Sequence, residues 1–293
     1  MKIELSGGIG NQLFQYSLGK YLQHQKEIEL TFVSAAVGAR ENPHNSKLAD
    51  FDFGVNENIL DRNQIAKFSS RVDRYLSHRV PKYNLLALCL FRNYTQIGVG
   101  FDGRLLKLHK PRSVRGYFQS YVYAESIRSE LISGFELIKP SDCFLAYAAE
   151  AKVNRPIIVH IRRGDYAQLS ASVGILGAEY YFNGIKALIG SSSQKQIWMF
   201  SDDAKASLEL ATKLGEMGLR DIRMGFELTD SETLKLMSLG SGIVIANSTF
   251  SWWSAFLGNY ENNVVAPKKW YKGLSDPEDL IPKNWMLITS SWE

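Results

Sequence analysis

Hydrophobic and polar positions in the second half of the chain alternate between the spacing of strands and that of helices. Short apolar runs, most of them rich in β-branched residues, alternate with segments of helical period. The predicted strands are 157–161, 197–201, 221–224, 243–246 and 264–266, and the predicted helices are 144–152, 178–189, 204–217, 231–239 and 250–257. This alternation predicts an α/β domain of the doubly wound kind, with a parallel sheet.

The first half opens with a similar unit. Residues 2–5 have a strand pattern, 6–12 read S-G-G-I-G-N-Q, and a helix follows whose apolar face includes Leu13 and Leu18. Residues 30–100 mix short apolar runs with polar stretches, and no element is assigned there. Because 293 residues suit two domains of roughly 140 residues each, we expect domains at 1–140 and 141–293.

Composition excludes several classes of protein. Hydrophobic residues make up 45% of the chain and charged residues 22%, as in ordinary globular proteins. Cys89 and Cys143 stand far apart with no nearby His pair, so neither a disulfide framework nor a zinc site is predicted. No signal peptide is indicated, and the longest apolar run, 85–91, is too short to cross a bilayer. We expect a cytoplasmic protein without a transmembrane segment.

The net charge of +4 comes from the first half. Lys and Arg outnumber Asp and Glu by 19 to 13 over residues 1–140, whereas the counts are 15 and 17 over residues 141–293. Basic patches on both sides of the 85–91 run suit peripheral contact with the inner membrane surface or with an acidic glycan, although such patches are more often solvated helix faces. No feature indicates nucleic-acid binding.

Polar residues follow three of the predicted strands. His160, Arg162 and Arg163 follow the first strand, S-D-D at 201–203 the second, and N-S-T at 247–249 a third. The hydroxyls of the last cluster start a helix, where they suit phosphate. Because ligands of open α/β sheets bind beyond the carboxyl ends of the strands, the coincidence predicts a mononucleotide site.

Each cluster has a chemical role and a plainer alternative. The guanidinium pair of Arg162 and Arg163 matches the oxygens of a diphosphate, and the alternative is a structural ion-pair cluster with Asp165. The carboxylate of Asp202 matches the two-donor edge of guanine. Its alternative is to cap the helix from residue 204, a task that we expect one of the two aspartates to perform.

Two stretches of the first half are further candidates. The glycine turn suits an anion, but Leu13 stands where the dinucleotide fingerprint needs its third glycine, and the Gly-Lys-Ser/Thr of a P-loop is absent. The segment 116–121 is aromatic and polar at once, so Tyr117 and Gln119 suit a sugar site, with aromatic core packing as the alternative.

Five motifs in order resemble those of the α-1,2-fucosyltransferases, glycosyltransferase family 11. They are G-G-I-G-N-Q-L-F-Q-Y (7–16), G-Y-F-Q-S (116–120), H-I-R-R-G-D-Y (160–166), F-S-D-D (200–203) and N-S-T-F-S-W-W-S-A (247–255). The resemblance implies a GT-B fold of two Rossmann-like βα domains facing a cleft. It also implies inverting transfer of L-fucose from GDP-β-L-fucose to the 2-hydroxyl of a terminal galactose, with no cofactor and no required metal.

The resemblance also implies roles for single residues. The donor-binding set is Gly10, Asn11, Gln12, His160, Arg162, Arg163, Asp202, Asn247, Ser248, Thr249 and Phe250, with Arg162 on the diphosphate. The acceptor, a galactose-terminated oligosaccharide that is free or lipid-linked, would lie against the first half, where Tyr117 and Gln119 are the candidates. Asp165 and Glu179 are candidates for the general base. Their alternatives are ordering of the Arg162 loop and an ordinary helix start.

Three other interpretations stay open. A dehydrogenase with a dinucleotide cofactor is disfavoured by the missing third glycine. A non-catalytic glycan-binding protein would use the region of Tyr117 and Phe118. A transferase of the same fold would use a different GDP-sugar.

Overall fold

The computed structural model divides the chain into two compact units, each with its own sheet. It describes residues 1–34, 47–55, 59–60, 93–96, 98–108, 111–164, 166, 170–190, 195–260, 262–277 and 279–293. The first unit comprises Met1–Glu136 and Pro277–Leu280, and the second comprises Leu137–Asp276 and Ile281–Glu293. The predicted boundary at residue 140 thus lies four residues after the end of the first unit at Glu136. The prediction also omits Pro277–Leu280, which belong to the first unit although no sequence pattern indicates it.

The first unit is built on a parallel sheet with β1 at its centre. The described strands are β1 (Lys2–Leu5), β2 (Thr31–Ser34), β3 (Ile59–Leu60), β4 (Asn93–Thr95) and β5 (Ser113–Arg115), in the order β3-β2-β1-β5-β4. Ile3 and Leu5 of β1 are buried, as the alternating pattern predicts. β2, β3 and β4 lie in the stretch to which the sequence assigned no element.

One long helix covers this sheet. The described helices are Ile9–Lys26, Arg104–Lys107, Tyr121–Ser126 and Arg128–Gly134, with a 3-10 turn at Lys47–Asp50. The helix Ile9–Lys26 buries Leu13, Phe14, Leu18 and Leu22 completely, so its predicted apolar face is confirmed. It ends where Glu27 takes a left-handed conformation. No helix in the described part of the chain is long and apolar enough to cross a membrane.

The second unit confirms the predicted alternation. Its described strands are β6 (Ile157–Ile161), β7 (Ile197–Ser201), β8 (Ile222–Arg223), β9 (Gly242–Val244), β10 (Val264–Pro267) and β11 (Met286–Ile288), and its helices are Asp142–Asn154, Ala178–Ile189, Ala204–Glu216, Asp230–Met237 and Thr249–Leu257. Each predicted element is present, with small shifts of its ends. β11 is an addition, since Met286 and Leu287 are exposed and give no buried run.

The order of the strands places the site. The sheet runs β11-β10-β9-β6-β7-β8 and is parallel throughout, with β6 buried at all five positions between β7 and β9. The chain goes from β6 towards one edge through β7 and β8, then returns to β9 and continues towards the other edge. This reversal is a topological switch point, and ligands of such sheets bind at its carboxyl side.

Candidate functional site

The two arginines that follow β6 have different surroundings. Arg162 is 30% exposed, and its Nη1 lies 3.0 Å from Oδ2 of Asp202. Arg163 is buried, and its Nη2 lies 2.9 Å from Oε1 of Glu293. Consecutive side chains that leave a strand tend to point to opposite sides, which explains the separation. Arg162 therefore stands at the strand ends, whereas Arg163 is buried and pairs with a Glu293 side chain that is 43% exposed. Nη1 of Arg163 is buried without a hydrogen-bond partner, and the two-arginine clamp stays a prediction.

The two aspartates that follow β7 divide the tasks that the sequence left open. Oδ1 of Asp203 accepts from the backbone N–H of Ala206 at 3.0 Å and caps the helix Ala204–Glu216. Asp202 accepts from Arg162 and, at 2.9 Å, from the backbone N–H of Arg163. The prediction that one of them caps this helix is confirmed, and it is Asp203.

Tyr166 and Asn247 support Arg162 from another direction. The guanidinium carbon of Arg162 lies 5.6 Å from the centre of the Tyr166 ring, whose hydroxyl donates to the Asn247 carbonyl at 2.9 Å. Asn247 is 1% exposed. Its amide nitrogen lies 3.1 to 3.2 Å from three backbone carbonyls, those of Val173, Gly174 and Trp270. We name Arg162, Asp202, Tyr166 and Asn247 the arginine cluster.

The amide nitrogen of Asn247 is committed to the loops around it, and the predicted contact of this residue with a GDP-linked donor stays a prediction. Because its amide N–H groups are directed at backbone carbonyls, the side chain fixes the loops beside β9 and has no N–H left to offer a donor. The sequence placed it in a polar run with Ser248 and Thr249, and the run gave no sign that the three side chains differ in burial.

His160 is enclosed at the end of β6. It is 4% exposed, its ring centre lies 5.5 Å from that of Phe250, and its Nδ1 is buried with no hydrogen-bond partner. Burial, assisted by the nearby charge of Arg162, lowers the pKa of His160 to about 3. The imidazole is therefore neutral at physiological pH, so it adds no positive charge to the strand ends.

The helix Thr249–Leu257 begins beside these residues. Oγ of Ser248 accepts from the backbone N–H of Phe250 at 3.3 Å, which makes Ser248 the N-cap. Thr249 and Phe250 are half-buried, and the first turn holds no acidic residue. The helix end therefore keeps its partial positive charge, which favours an anion. Trp252 and Trp253 are fully buried in the core.

The first unit brings the glycine turn and the segment 116–120 together. Nε2 of Gln119 donates to Oδ1 of Asn11 at 2.9 Å, and Nε2 of Gln12 donates to the Gly7 carbonyl at 3.1 Å. Gly7 has φ of +75°, which favours glycine. Gly10 is buried in the first turn of the helix. These predicted residues thus form a neutral amide surface within one unit.

Gln15 holds this surface together, and sequence reasoning missed it. It is fully buried, accepts from the Ser6 N–H at 2.8 Å, and donates to the Ser6 hydroxyl and the Gly116 carbonyl at 3.0 and 2.9 Å. The signal was present, because Gln15 is a polar residue within the apolar face of the helix. We name Asn11, Gln12, Gln15 and Gln119 the amide cluster.

The two predicted acceptor residues differ in exposure. Tyr117 is 43% exposed, whereas Gln119 is 7% exposed and its Oε1 has no hydrogen-bond partner. Between them, Phe118 is fully buried and has φ of +50°. The core-packing alternative is therefore right for Phe118, while Tyr117 faces outward.

Comparison with known proteins identifies the family. The sequence profile described as "Glycosyl transferase family 11" matches residues 1–289. The chain is a member of this family. Two relatives from Escherichia coli are an O-antigen biosynthesis glycosyltransferase, WbnK, and an alpha-1,2-colitosyltransferase. They are 25% and 24% identical to this glycosyltransferase over 97% of its chain, and the matches cover 99% and 97% of theirs.

Solved structures share the fold of this family 11 glycosyltransferase. Fucosyltransferase NodZ from Bradyrhizobium superposes with a TM-score of 0.52 at 13% identity, covering 88% of this chain and 92% of that one. The predicted α/β fold of the GT-B type, with two parallel βα domains, is confirmed.

Of the two candidate general bases of this glycosyltransferase, the structure describes Glu179 but not Asp165. Glu179 is exposed in the first turn of the helix Ala178–Ile189, where an acidic side chain is favourable for the helix alone. Asp165 lies outside the described residues. Among the described residues, no group of three or more His, Cys, Asp and Glu could hold a metal ion.

Proposed function

We propose that this family 11 enzyme transfers L-fucose from GDP-β-L-fucose to the 2-hydroxyl of a terminal β-galactoside, with inversion, in the synthesis of a bacterial surface glycan. The carrying observation is the 30% exposed guanidinium of Arg162 at the switch point of the sheet. It is linked through Tyr166 to the carbonyl of Asn247, which directly precedes the N-cap of the helix Thr249–Leu257. The two Escherichia coli relatives, an O-antigen biosynthesis glycosyltransferase and an alpha-1,2-colitosyltransferase, support a surface glycan and an α-1,2 linkage.

The donor half of the reaction explains why the arginine is needed. As the bond between fucosyl C1 and the diphosphate oxygen breaks, positive charge develops on the sugar ring and negative charge on GDP. The guanidinium of Arg162 and the N–H groups at the start of the helix Thr249–Leu257 stabilise that negative charge. Groups fixed in advance around a developing charge are usually the largest contribution to catalysis.

The acceptor half completes the exchange. The 2-hydroxyl oxygen of galactose bonds to C1 on the face opposite the departing GDP, so the configuration inverts, and its proton passes to a base. Asp165 and Glu179 stay the two proposals for that base. The amide variant of the true base lowers kcat by about 100-fold to 10,000-fold, so measuring kcat for Asp165→Asn and Glu179→Gln decides between them.

The first unit supplies the groups that suit a sugar. Exposed Tyr117 offers a ring face for sugar C–H groups, and Gln119 has a buried acceptor oxygen without a partner. Asn11 and Gln12 offer neutral amides on the same unit. We assign Asn11 and Gln12 to the donor sugar, and Tyr117 and Gln119 to the acceptor.

A second donor is favoured by one specific observation. One relative of this chain is an alpha-1,2-colitosyltransferase, and colitose is fucose without its 3-hydroxyl. A GDP-activated 3-deoxy sugar therefore is the alternative donor. If the site hydrogen-bonds the 3-hydroxyl of fucose, the enzyme should strongly prefer GDP-fucose. A bound 3-deoxy sugar would leave the polar groups of the site that bind this hydroxyl without a partner, which is costly.

The test is a transfer assay with both donors. The enzyme is incubated with GDP-fucose or GDP-colitose and a set of β-galactosides, and GDP release and product linkage are measured. We expect GDP release that depends on the acceptor and an α-1,2-fucosylated product, with Arg162→Ala as the inactive control. A preference for GDP-colitose would replace the donor, and no acceptor-dependent GDP release from either would contradict the proposal.

A further inference from the structure

Asp202 makes contacts within the protein that its expected role of binding guanine does not explain. Its Oδ2 lies 3.0 Å from Nη1 of Arg162, and its Oδ1 accepts from the Arg163 N–H at 2.9 Å. Both carboxylate oxygens therefore bind groups of the arginine segment. The neighbouring Asp203 caps the helix, so helix capping does not account for Asp202 either.

The segment after β6 is shaped to receive this carboxylate. A Cβ built on Gly164 would lie 2.7 Å from Oδ2 of Asp202, so any other residue there would press against it. Glycine lets the backbone approach the carboxylate that pairs with the preceding arginine. The three residues of the R-R-G sequence thus all lie against the Asp202 carboxylate.

Arg162 is then fixed on two sides. Asp202 binds one end of its guanidinium, and the Tyr166 ring lies 5.6 Å from the guanidinium carbon, with its hydroxyl tied to the Asn247 carbonyl. A long, half-exposed arginine has many rotamers, and binding a diphosphate through it would otherwise cost the entropy of fixing them. An arginine already oriented binds and stabilises charge without that cost.

We propose that Asp202 is a positioning residue that orients Arg162 for the diphosphate, and that it does not read the guanine edge. The inference rests on the proposed function, because it assumes a GDP-linked donor. It assigns recognition of the base to groups other than the carboxylate of Asp202.

The variant Asp202→Asn separates the two roles. Asparagine keeps the shape and an oxygen that can accept from the Arg163 N–H, but it removes the charge that faces Arg162. The matched control is Asp203→Asn, the same change one residue later, where asparagine still caps the helix. Thermal unfolding of both variants checks that the fold is kept.

The measurement is the dissociation constant of GDP and of IDP, whose base lacks the 2-amino group of guanine. If Asp202 positions Arg162, Asp202→Asn weakens both nucleotides by the same factor, about 10-fold to 100-fold for a displaced binding group. The ratio of GDP to IDP affinity then stays at its wild-type value. If Asp202 reads guanine, that ratio falls towards one, and the inference is overturned.

A double-mutant cycle with Arg162→Ala gives the second readout. Without its arginine to orient, Asp202→Asn should change the GDP dissociation constant by no more than about twofold, the usual scatter for independent sites. Additive effects overturn the inference, as does an Asp202→Asn variant that binds GDP like wild type. A wild-type protein that binds no GDP refutes the proposed function as well, which distinguishes that failure from failure of the inference alone.

Discussion

The arginine cluster of the second unit and the amide cluster of the first unit present polar groups in different ways. In the arginine cluster, a full charge on Arg162 is held by an opposite charge at 3.0 Å and by an aromatic ring. In the amide cluster, neutral side chains are held by backbone groups: Gln15 binds Ser6 and Gly116, and Gln12 binds Gly7.

The difference follows from what each cluster is proposed to meet. A departing diphosphate gains negative charge during the reaction, so a fixed cation stabilises the transition state more than the ground state. The sugar hydroxyls that do not react keep nearly the same charge, so neutral hydrogen-bond donors and acceptors are enough to orient them. Changes in the arginine cluster should therefore affect turnover most, and changes in the amide cluster should affect stability and sugar binding.

The largest expected effect is loss of turnover in Arg162→Ala. Removing one group that stabilises a developing negative charge typically costs about 100-fold to 1,000-fold in kcat, and we expect a loss in or beyond that range. Steady-state GDP release measures it, with circular dichroism to check folding. Arg162→Lys should recover only part of the rate, because lysine lacks the planar set of donors. Near-normal transfer by the alanine variant contradicts the assignment.

The sequence predicted which edge of the sheet carries the polar residues, but it did not predict which side chains pair with each other at that edge. Short apolar runs such as Ile157–Ile161 predict strands because a strand that is buried on both faces is apolar at every position. Polar residues after such strands must meet at one edge, which is why the sequence grouped Arg162 with Asp202, and their side chains lie 3.0 Å apart. The alternation of side chains along a strand predicts that two adjacent arginines separate, but which of the two turns inward depends on tertiary packing. The burial of Arg163 was therefore not predictable.

Two further features lay beyond the sequence for related reasons. Gln15 acts through contacts with Gly116, 101 residues away in the chain, and local patterns carry no information at that distance. The segment Pro277–Leu280 joins the first unit through such contacts as the one between its Asp279 carbonyl and the Tyr121 N–H at 2.9 Å. The periodicity of apolar residues predicts helices and strands well, but it says little about which of them contact each other in the folded protein.

The next largest effect is on stability, from Gln15→Leu in the amide cluster. The variant leaves the part-buried Ser6 N–H and Gly116 carbonyl without Gln15. A fully buried group left without a partner costs about 1 to 3 kcal/mol, and we expect a smaller cost for each of these two groups. We expect a lower urea midpoint and faster amide hydrogen exchange in the helix Ile9–Lys26, with little change in Ala178–Ile189 of the other unit. Gln25→Leu, at an exposed position of the same helix, is the control. Equal destabilisation by both variants would refute the role of Gln15.

A smaller effect concerns pH and His160. Its pKa is about 3 in the folded protein and about 6.5 when unfolded, so below the unfolded value the unfolded state binds a proton that the folded state does not. The contribution of neutral His160 to stability is therefore complete above pH 6.5 and is lost as pH falls towards 3.

The variant His160→Asn tests this pH dependence. Wild-type thermal stability should fall more steeply between pH 6.5 and pH 4 than that of the variant, since asparagine does not titrate there. Identical slopes for wild type and His160→Asn would show that the buried ring does not carry the effect.

The smallest expected effect is that of removing metal ions, and it tests how far the arginine cluster is sufficient. If Arg162 and the start of the helix Thr249–Leu257 neutralise the departing diphosphate, EDTA should leave kcat unchanged. Added Mg²⁺ binds GDP itself and raises ionic strength, which weakens exposed charge interactions, so the comparison needs a sodium chloride control of equal ionic strength. Loss of turnover in EDTA that Mg²⁺ restores and sodium chloride does not would show that the arginine cluster needs a metal ion beside it. Because Asp202 offsets part of the charge on Arg162, this experiment asks directly whether an arginine held by a carboxylate stabilises a diphosphate without further cations.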